Sequence, residues 1–307
     1  MTQPASTTAN ITPKELTISG TVVDNKVYDR TTSATVSAGS LVGVISADTA
    51  NVTLTRAASF SSANVGVGIT ITSNFSISGS AAANYTLTQP TGITANITAK
   101  SLTITADNVS STYGTSVSLG STAFSQSGLV TGDSISGVTL SYGGANTVAA
   151  TVGAGTYSGA ILASTALGSG LSNYAISYVA GNLTIAQATL TLTPTAKSAT
   201  YNGTTLNTAT YSADTANYSI TGYKNSESAS NVPLSFTGSL SFTQGGSAAT
   251  VRNAGTYGFA AGTLAITSTN SNYQVVLANT LSNTYVINPV TVTLSASKTY
   301  DGSAIFA

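Results

Sequence analysis

Four segments of the chain read alike, and internal repetition constrains its fold more than any other feature. They are Ile11-Thr-Pro-Lys-Glu-Leu-Thr-Ile18, Ile97-Thr-Ala-Lys-Ser-Leu-Thr-Ile104, Ile185-Ala-Gln-Ala-Thr-Leu-Thr-Leu192 and Ile287-Asn-Pro-Val-Thr-Val-Thr-Leu294, spaced 86, 88 and 102 residues apart. A second landmark follows each: Lys26-Val-Tyr28-Asp29, Ser111-Thr-Tyr113-Gly114, Ala199-Thr-Tyr201-Asn202-Gly203 and Lys298-Thr-Tyr300-Asp301-Gly302. A third sits mid-repeat, as Gly43-Val-Ile-Ser-Ala-Asp48, Gly128-Leu-Val-Thr-Gly-Asp133 and, more loosely, Gly222-Tyr-Lys-Asn-Ser-Glu227. A fourth is Ala63-Asn-Val-Gly66, Gly153-Ala-Gly155-Thr-Tyr157 and Asn253-Ala-Gly255-Thr-Tyr257. Asn84-Tyr85, Asn173-Tyr174 and Asn272-Tyr273 close the units. Chance would not keep five landmarks in order across three units.

The pattern divides the chain into the end of a preceding repeat (1–10), three repeats (11–96, 97–184 and 185–286) and the start of a truncated fourth (287–307). Thr8-Ala9-Asn10-Ile11-Thr12 copies Thr94-Ala95-Asn96-Ile97-Thr98, so residues 8–12 are expected to be the last strand of a preceding unit. The expectation is a segment of a longer array.

Within a repeat the hydrophobic period is two. Ser101-Leu-Thr-Ile-Thr105, Leu190-Thr-Leu-Thr193 and Val290-Thr-Val-Thr-Leu294 alternate polar and apolar, as half-buried strands do. Further strands are predicted near 134–142, 156–163, 173–179 and 182–185. The Asn-Gly after Tyr201 and the Asp-Gly after Tyr300 are hairpin signals, because a type I′ turn needs positive φ at both central residues. About seven strands per unit predict an all-β fold of tandem immunoglobulin-like β-sandwich repeats in an extended rod. Small β-sheet domains, each with one short helix near the Asp133 position, are the alternative. No Pro/Gly-rich linker separates the units, which predicts stiff joints.

Composition removes most functional classes. Charged residues are 6% of the chain, with nine Lys and Arg against nine Asp and Glu. Nine scattered cations cannot form a stripe that tracks phosphates, so no nucleic-acid partner is expected. There is no His and no Cys. A catalytic imidazole, a thiol nucleophile, a disulfide and a thiolate zinc site are therefore ruled out, and no enzyme activity, cofactor or metal is expected. Gly143-Gly144 and Gly153-Ala-Gly155 lack the Lys and helix of a phosphate loop. No apolar run approaches 18 residues, so no membrane insertion is expected in this segment. Thr2-Gln3-Pro4-Ala5-Ser6 has no signal-peptide pattern, so any secretion signal is expected outside the chain.

Lys26-Val-Tyr-Asp-Arg-Thr-Thr and Lys298-Thr-Tyr-Asp-Gly resemble the start of the YDG domain. Ile104-Thr-Ala-Asp-Asn-Val-Ser-Ser-Thr-Tyr-Gly-Thr-Ser116 resembles the MBG repeat of YGX type. Arg30 stands where the usual residue is Gly, and the third unit is longer by about 14 residues. Both resemble modules of very large bacterial surface proteins, filamentous haemagglutinin-like adhesins among them. The resemblance implies a stalk or spacer in an adhesin on the cell surface, on the outer surface of a Gram-negative cell, or secreted, supporting adhesion or a biofilm matrix. Its partners would be other repeats, identical chains, glycans or a host or matrix surface. A filament built by strand donation, through residues 8–12 and 290–294, is an alternative.

Several residues invite a sharper chemistry. Tyr28, Tyr113, Tyr201 and Tyr300 could stack a ligand. The simpler expectation is a core ring whose hydroxyl bonds nearby backbone, with the Tyr-Asp-Gly forming a turn. Asp48, Asp133 and Glu227 recur at one place and could bind calcium, as could Asp24, Asn25 and Asp29. Calcium wants six to eight oxygen ligands, so a capped turn is the simpler expectation. Lys14, Lys26, Lys100, Lys197 and Lys298 lie near strand starts, where an isopeptide bond would need an Asn and a carboxylate beside the amine. Tyr142, Tyr211, Tyr218 and Tyr223 are expected to be exposed and are the candidates for stacking on sugar rings, the last three in the longer third unit, where a loop for specificity is expected.

Overall fold

The computed structural model describes residues 8–278, 283–297 and 299–301. Lys298, Gly302 and the rest of the expected fourth repeat after 301, together with residues 1–7, lie outside the described residues. The fold is all-β, with one six-residue α-helix and four 3-10 turns among the described residues.

Each repeat uses its strands in the same way. The first strand (Lys14–Val23, Lys100–Ala106, Ala188–Pro194) is alternating in sequence and buries one face. Leu16, Leu102, Ile104, Leu190 and Leu192 are wholly buried. That strand pairs antiparallel on one side, with Val36–Val42, Phe124–Ser127 and Tyr218–Thr221. On its other side it pairs in parallel with the strand that begins at the closing Tyr: Tyr85–Leu87, Tyr174–Val179 and Tyr273–Leu277. A short second strand (Lys26–Val27, Val109–Thr112, Lys197–Thr200) pairs in parallel with the last strand of the repeat, Thr94–Thr98, Gly181–Ala186 and Thr284–Asn288. Two parallel pairings per repeat tie its start to its end, a feature that the hairpin signals do not reveal.

The strand expected at 290–294 is not formed. Val290, Val292 and Leu294 are exposed, at 50%, 75% and 92%. The first strand of every other repeat is held by partners from later in that same repeat, and 290–294 has none among the described residues. The Asn-Gly after Tyr201 is not a hairpin either. Asn202 Oδ1 accepts from the Thr204 N–H at 3.0 Å and its hydroxyl at 2.7 Å, an Asx turn, because the second strand before it runs parallel to its partner. The short helix expected at the Asp133 position is absent in the second and third repeats, and the first has only a 3-10 turn there, Ser46–Asp48. Other helical turns fall just before the closing Tyr in the first two repeats, and at Thr208–Ala213 and Thr215–Asn217 in the third.

One residue, Ala99 or Gln187, separates the last strand of one repeat from the first strand of the next. The chain divides into two compact units. Of the described residues, one comprises those up to Asp107 with Leu119–Asn146 and Gly159–Gly181, and the other Asn108–Ser118, Thr147–Ser158 and those from Asn182 on. The division runs through the second repeat, so each unit contains one passage from repeat to repeat.

Candidate functional site: the joint between repeats

The landmark residues come together where one repeat meets the next. In the first unit, Tyr28 of the first repeat packs edge-to-face on Tyr174 of the second, with ring centroids 5.5 Å apart. Both hydroxyls donate to the same atom, Asp133 Oδ2, at 3.0 and 2.7 Å. The Val130 N–H donates to the Tyr174 hydroxyl at 2.9 Å. Asn173 completes the contact: its Oδ1 accepts from the Val65 N–H at 2.8 Å, and its Nδ2 donates to Asn64 Oδ1 at 3.2 Å.

In the second unit the same groups meet again. Tyr113 of the second repeat packs edge-to-face on Tyr273 of the third, again at 5.5 Å. The Tyr113 hydroxyl donates to Glu227 Oε1 at 3.0 Å, and the Tyr273 hydroxyl donates to Glu227 Oε2. The Lys224 N–H donates to the Tyr273 hydroxyl at 2.8 Å, and Asn272 Oδ1 accepts from the Ala154 N–H at 2.7 Å. The preceding repeat thus supplies a Tyr ring and a backbone N–H. The following repeat supplies a carboxylate, a second Tyr and an Asn amide.

Local structure places each part. The Tyr28 turn is an Asx turn in which Asp29 Oδ1 accepts from the N–H and hydroxyl of Thr31. The carboxylate turn begins at Gly43, Gly128 or Gly222, at φ of 100°, 104° and 108°. A Cβ at Gly128 or Gly222 would run into the carbonyl oxygen of Ser101 or Thr189 on the first strand. Only glycine permits both the left-handed backbone and that approach. In the first two repeats the closing Tyr follows a 3-10 turn, which presents Asn and Tyr side by side.

The electrostatics favour the neutral phenols. Burial pushes the Tyr174 and Tyr273 hydroxyls up to about 12, with the hydrogen bonds to Asp133 and Glu227 acting in the same direction. Tyr28 is raised by burial first and by Asp133 second. A hydroxyl given to a carboxylate is a charge-assisted bond, roughly twice as strong as a neutral one.

These contacts place the candidate residues. Tyr28 and Tyr113 are buried, as expected, but their hydroxyls reach a carboxylate in the next repeat and not nearby backbone, whereas Tyr201 and Tyr300 are exposed and not core rings. Asp48, Asp133 and Glu227 cap no helix: each receives a Tyr hydroxyl, from Tyr85 at 2.8 Å for Asp48. Asp29 is engaged by Lys26 and Thr31, and Asn25 by the Asn96 N–H. Lys197 donates to Asn217 Oδ1, while Asp214 spends its Oδ1 on the Ala216 N–H. Tyr211 and Tyr218 are not exposed loop residues. The helix Thr208–Ala213, capped by Asn207 Oδ1, carries Tyr211 into a core with Leu240, Phe242 and Phe259. Tyr218 opens a strand and stacks on Phe236. Tyr223 lies against Tyr273, and Tyr142 is half-buried.

The repeats mark Asn173 and Asn272 as landmarks but assign no role to their amides, nor to Arg30, Gly132 or Lys224. Arg30 Nε lies 3.4 Å from Asp133 Oδ1, and its guanidinium covers Gly132, where a Cβ would collide with it. In the other joint the stem of Lys224 covers Gly114. In the sequence the only sign was Arg30 in place of the usual Gly; that each cation faces a glycine of the other repeat is visible only in the fold.

Residues 12–92 match the family model of the YDG domain, and residues 102–184 match that of the MBG domain of YGX type. The chain therefore carries a YDG domain followed by an MBG domain, β-rich domains that point to a surface or adhesin-like protein. No curated protein and no solved structure matches the chain. Among the described residues, no helix is long and apolar enough to cross a membrane.

Proposed function

We propose that this segment is a spacer of a large bacterial surface or secreted adhesin, with a structural and not a catalytic role. One observation carries the reading: at both internal joints the recurring residues (Tyr28, Asp133 and Asn173; Tyr113, Glu227 and Asn272) are spent on contacts between one repeat and the next. An edge-to-face aromatic pair contributes about 0.5–1.5 kcal/mol beyond its buried area. Hydrogen bonds to a charged group add about 1.5–3 kcal/mol each. Together with a one-residue link, such contacts resist bending between repeats. The role is to hold an adhesive tip away from the cell or to span a matrix. Small-angle scattering of the purified chain tests this. A stiff, extended particle supports the spacer, and a flexible or collapsed one refutes it.

A further inference from the structure

The first repeat carries half of a joint. Tyr85 donates to Asp48 Oδ2 at 2.8 Å, and the Ile45 N–H donates to the Tyr85 hydroxyl at 3.2 Å. The following half of both internal joints has the same two bonds. Beside them opens a cleft of about 360 Å³, lined by Ile45, Asp48, Asn84 and Tyr85 together with residues 11–14. Asn84 is exposed, whereas its counterpart Asn173 is 4% exposed. The third repeat carries the other half. Tyr201 is 38% exposed, against 3% for Tyr28 and 5% for Tyr113. With Asn253 and Ala254 it lines an open groove, and Ala254 holds the position of Val65 and Ala154 before the glycine of its landmark.

We propose that the cleft at Asp48 and Tyr85 is a docking site for a tyrosine turn of another repeat, and that the Tyr201 turn of a second copy of this chain fits it, head to tail. The ring of Tyr201 packs on the edge of Tyr85 and its hydroxyl shares Asp48. The Ala254 N–H meets Asn84 Oδ1. Steric matching selects Tyr201 over Tyr28. Counting from Gly43 as from Gly128, Ala47 stands where Gly132 makes room for Arg30. The Tyr201 turn has Gly203 in Arg30's place and needs no such room. Residues 8–13 and 289–297, which flank the two halves, belong to no strand, so no sheet holds either half shut. The proposal rests on reading the internal joints as repeat-to-repeat interfaces, and not on the spacer role.

Sedimentation of the full chain, from about 10 μM to the roughly millimolar level typical of linked modules, tests the site. Wild type should gain mass with concentration without limit to a dimer. Asp48→Asn and Tyr201→Phe should each weaken association at least several-fold, and Asp48→Ala and Tyr201→Ala should abolish it. An equimolar mixture of the two alanine variants has one competent pair of faces and should form dimers and nothing longer, which also shows that both variants fold. No association up to about 1 mM, or association indifferent to both substitutions, overturns the proposal. Amide exchange separates its failure from that of the joint reading. Protected Val65 and Ala154 amides with an Ala254 amide unaffected by concentration sink the docking alone. Unprotected Val65 and Ala154 amides sink both.

Discussion

The two joints share a Tyr–carboxylate–Tyr centre and differ in where the cation comes from. In the first, Arg30 of the preceding repeat reaches across Gly132 and faces Asp133, whose side chain is 4% exposed. In the second, Lys224 belongs to the following repeat and lies over Gly114, while Glu227 takes hydrogen bonds from Tyr113, Tyr273 and Asn270. Each joint has one cation and one opposing glycine, with the sides exchanged. Backbone strain follows the exchange. Arg30 sits at φ 69° in the first joint, and Asn225 and Ser226 sit at 50° and 64° in the second. Side chains seldom adopt this region; three of the four that do so among the described residues lie at these joints, and the fourth, Thr165 at φ 45°, lies within a strand of the second repeat. The lesson is that the tyrosine centre is the common device, and the cation adjusts which turns fit together.

Removing a ring should erase the difference. Tyr28→Ala and Tyr113→Ala each delete a buried aromatic and leave a carboxylate short of a donor, so each should cost about 3–5 kcal/mol in urea unfolding. Equal losses would confirm a shared centre. A loss under about 1 kcal/mol at either would show that its ring is not part of one.

Removing only the hydroxyl should expose the difference. Tyr28→Phe leaves Asp133 with Tyr174 and Arg30, whereas Tyr113→Phe leaves Glu227 with Tyr273 and a long contact to Asn270. The expected costs are about 1 kcal/mol for Tyr28→Phe and about 2 kcal/mol for Tyr113→Phe. The reverse order would mean that Arg30 contributes nothing to holding Asp133.

Alkali should act on both joints in one window. Tyr174 and Tyr273 are raised to about 12 from an ordinary value near 10. A raised acid is stabilising in its protonated form. That contribution is complete below about pH 10 and is lost as pH climbs through about 12. Tyrosinate absorbance should therefore rise late, together with exposure of the Val65 and Ala154 amides. Loss of amide protection below about pH 9 would contradict the assignment.

Much of this was legible in the repeats, and the limit of legibility has a physical cause. Periodicity marks Tyr28, Asp133 and Asn173 as residues needed once per unit, and alternation marks the first strands. It does not say whether a partner lies in the same unit or the next. Tyr28 and Asp133 are 105 residues apart, and Tyr113 and Glu227 are 114 apart, each more than one repeat. The pattern at 290–294 has the right alternation and no strand, because alternation supplies a face and not a partner. Tyr211 read as a loop residue because the extra length of the third repeat hides a capped helix that points inward.

The smallest expected effect tests the exchange of sides most directly. Arg30→Gly removes an ion pair whose Arg side chain is 52% exposed, and such pairs are worth about 0–1 kcal/mol. It also relieves a side chain held at φ 69°, a conformation that costs a non-glycine residue of order 1 kcal/mol. The two terms oppose, so stability should change by less than about 1 kcal/mol. The substitution should instead change tolerance at Gly132. With Arg30 present, Gly132→Ala drives a Cβ into the guanidinium; once Arg30 is replaced by glycine, that space is empty. A double-mutant cycle should show the Gly132→Ala penalty falling by about 1 kcal/mol in the Arg30→Gly background. An additive cycle would mean that Arg30 does not occupy the space over Gly132, and that the cation does not select the neighbouring turn.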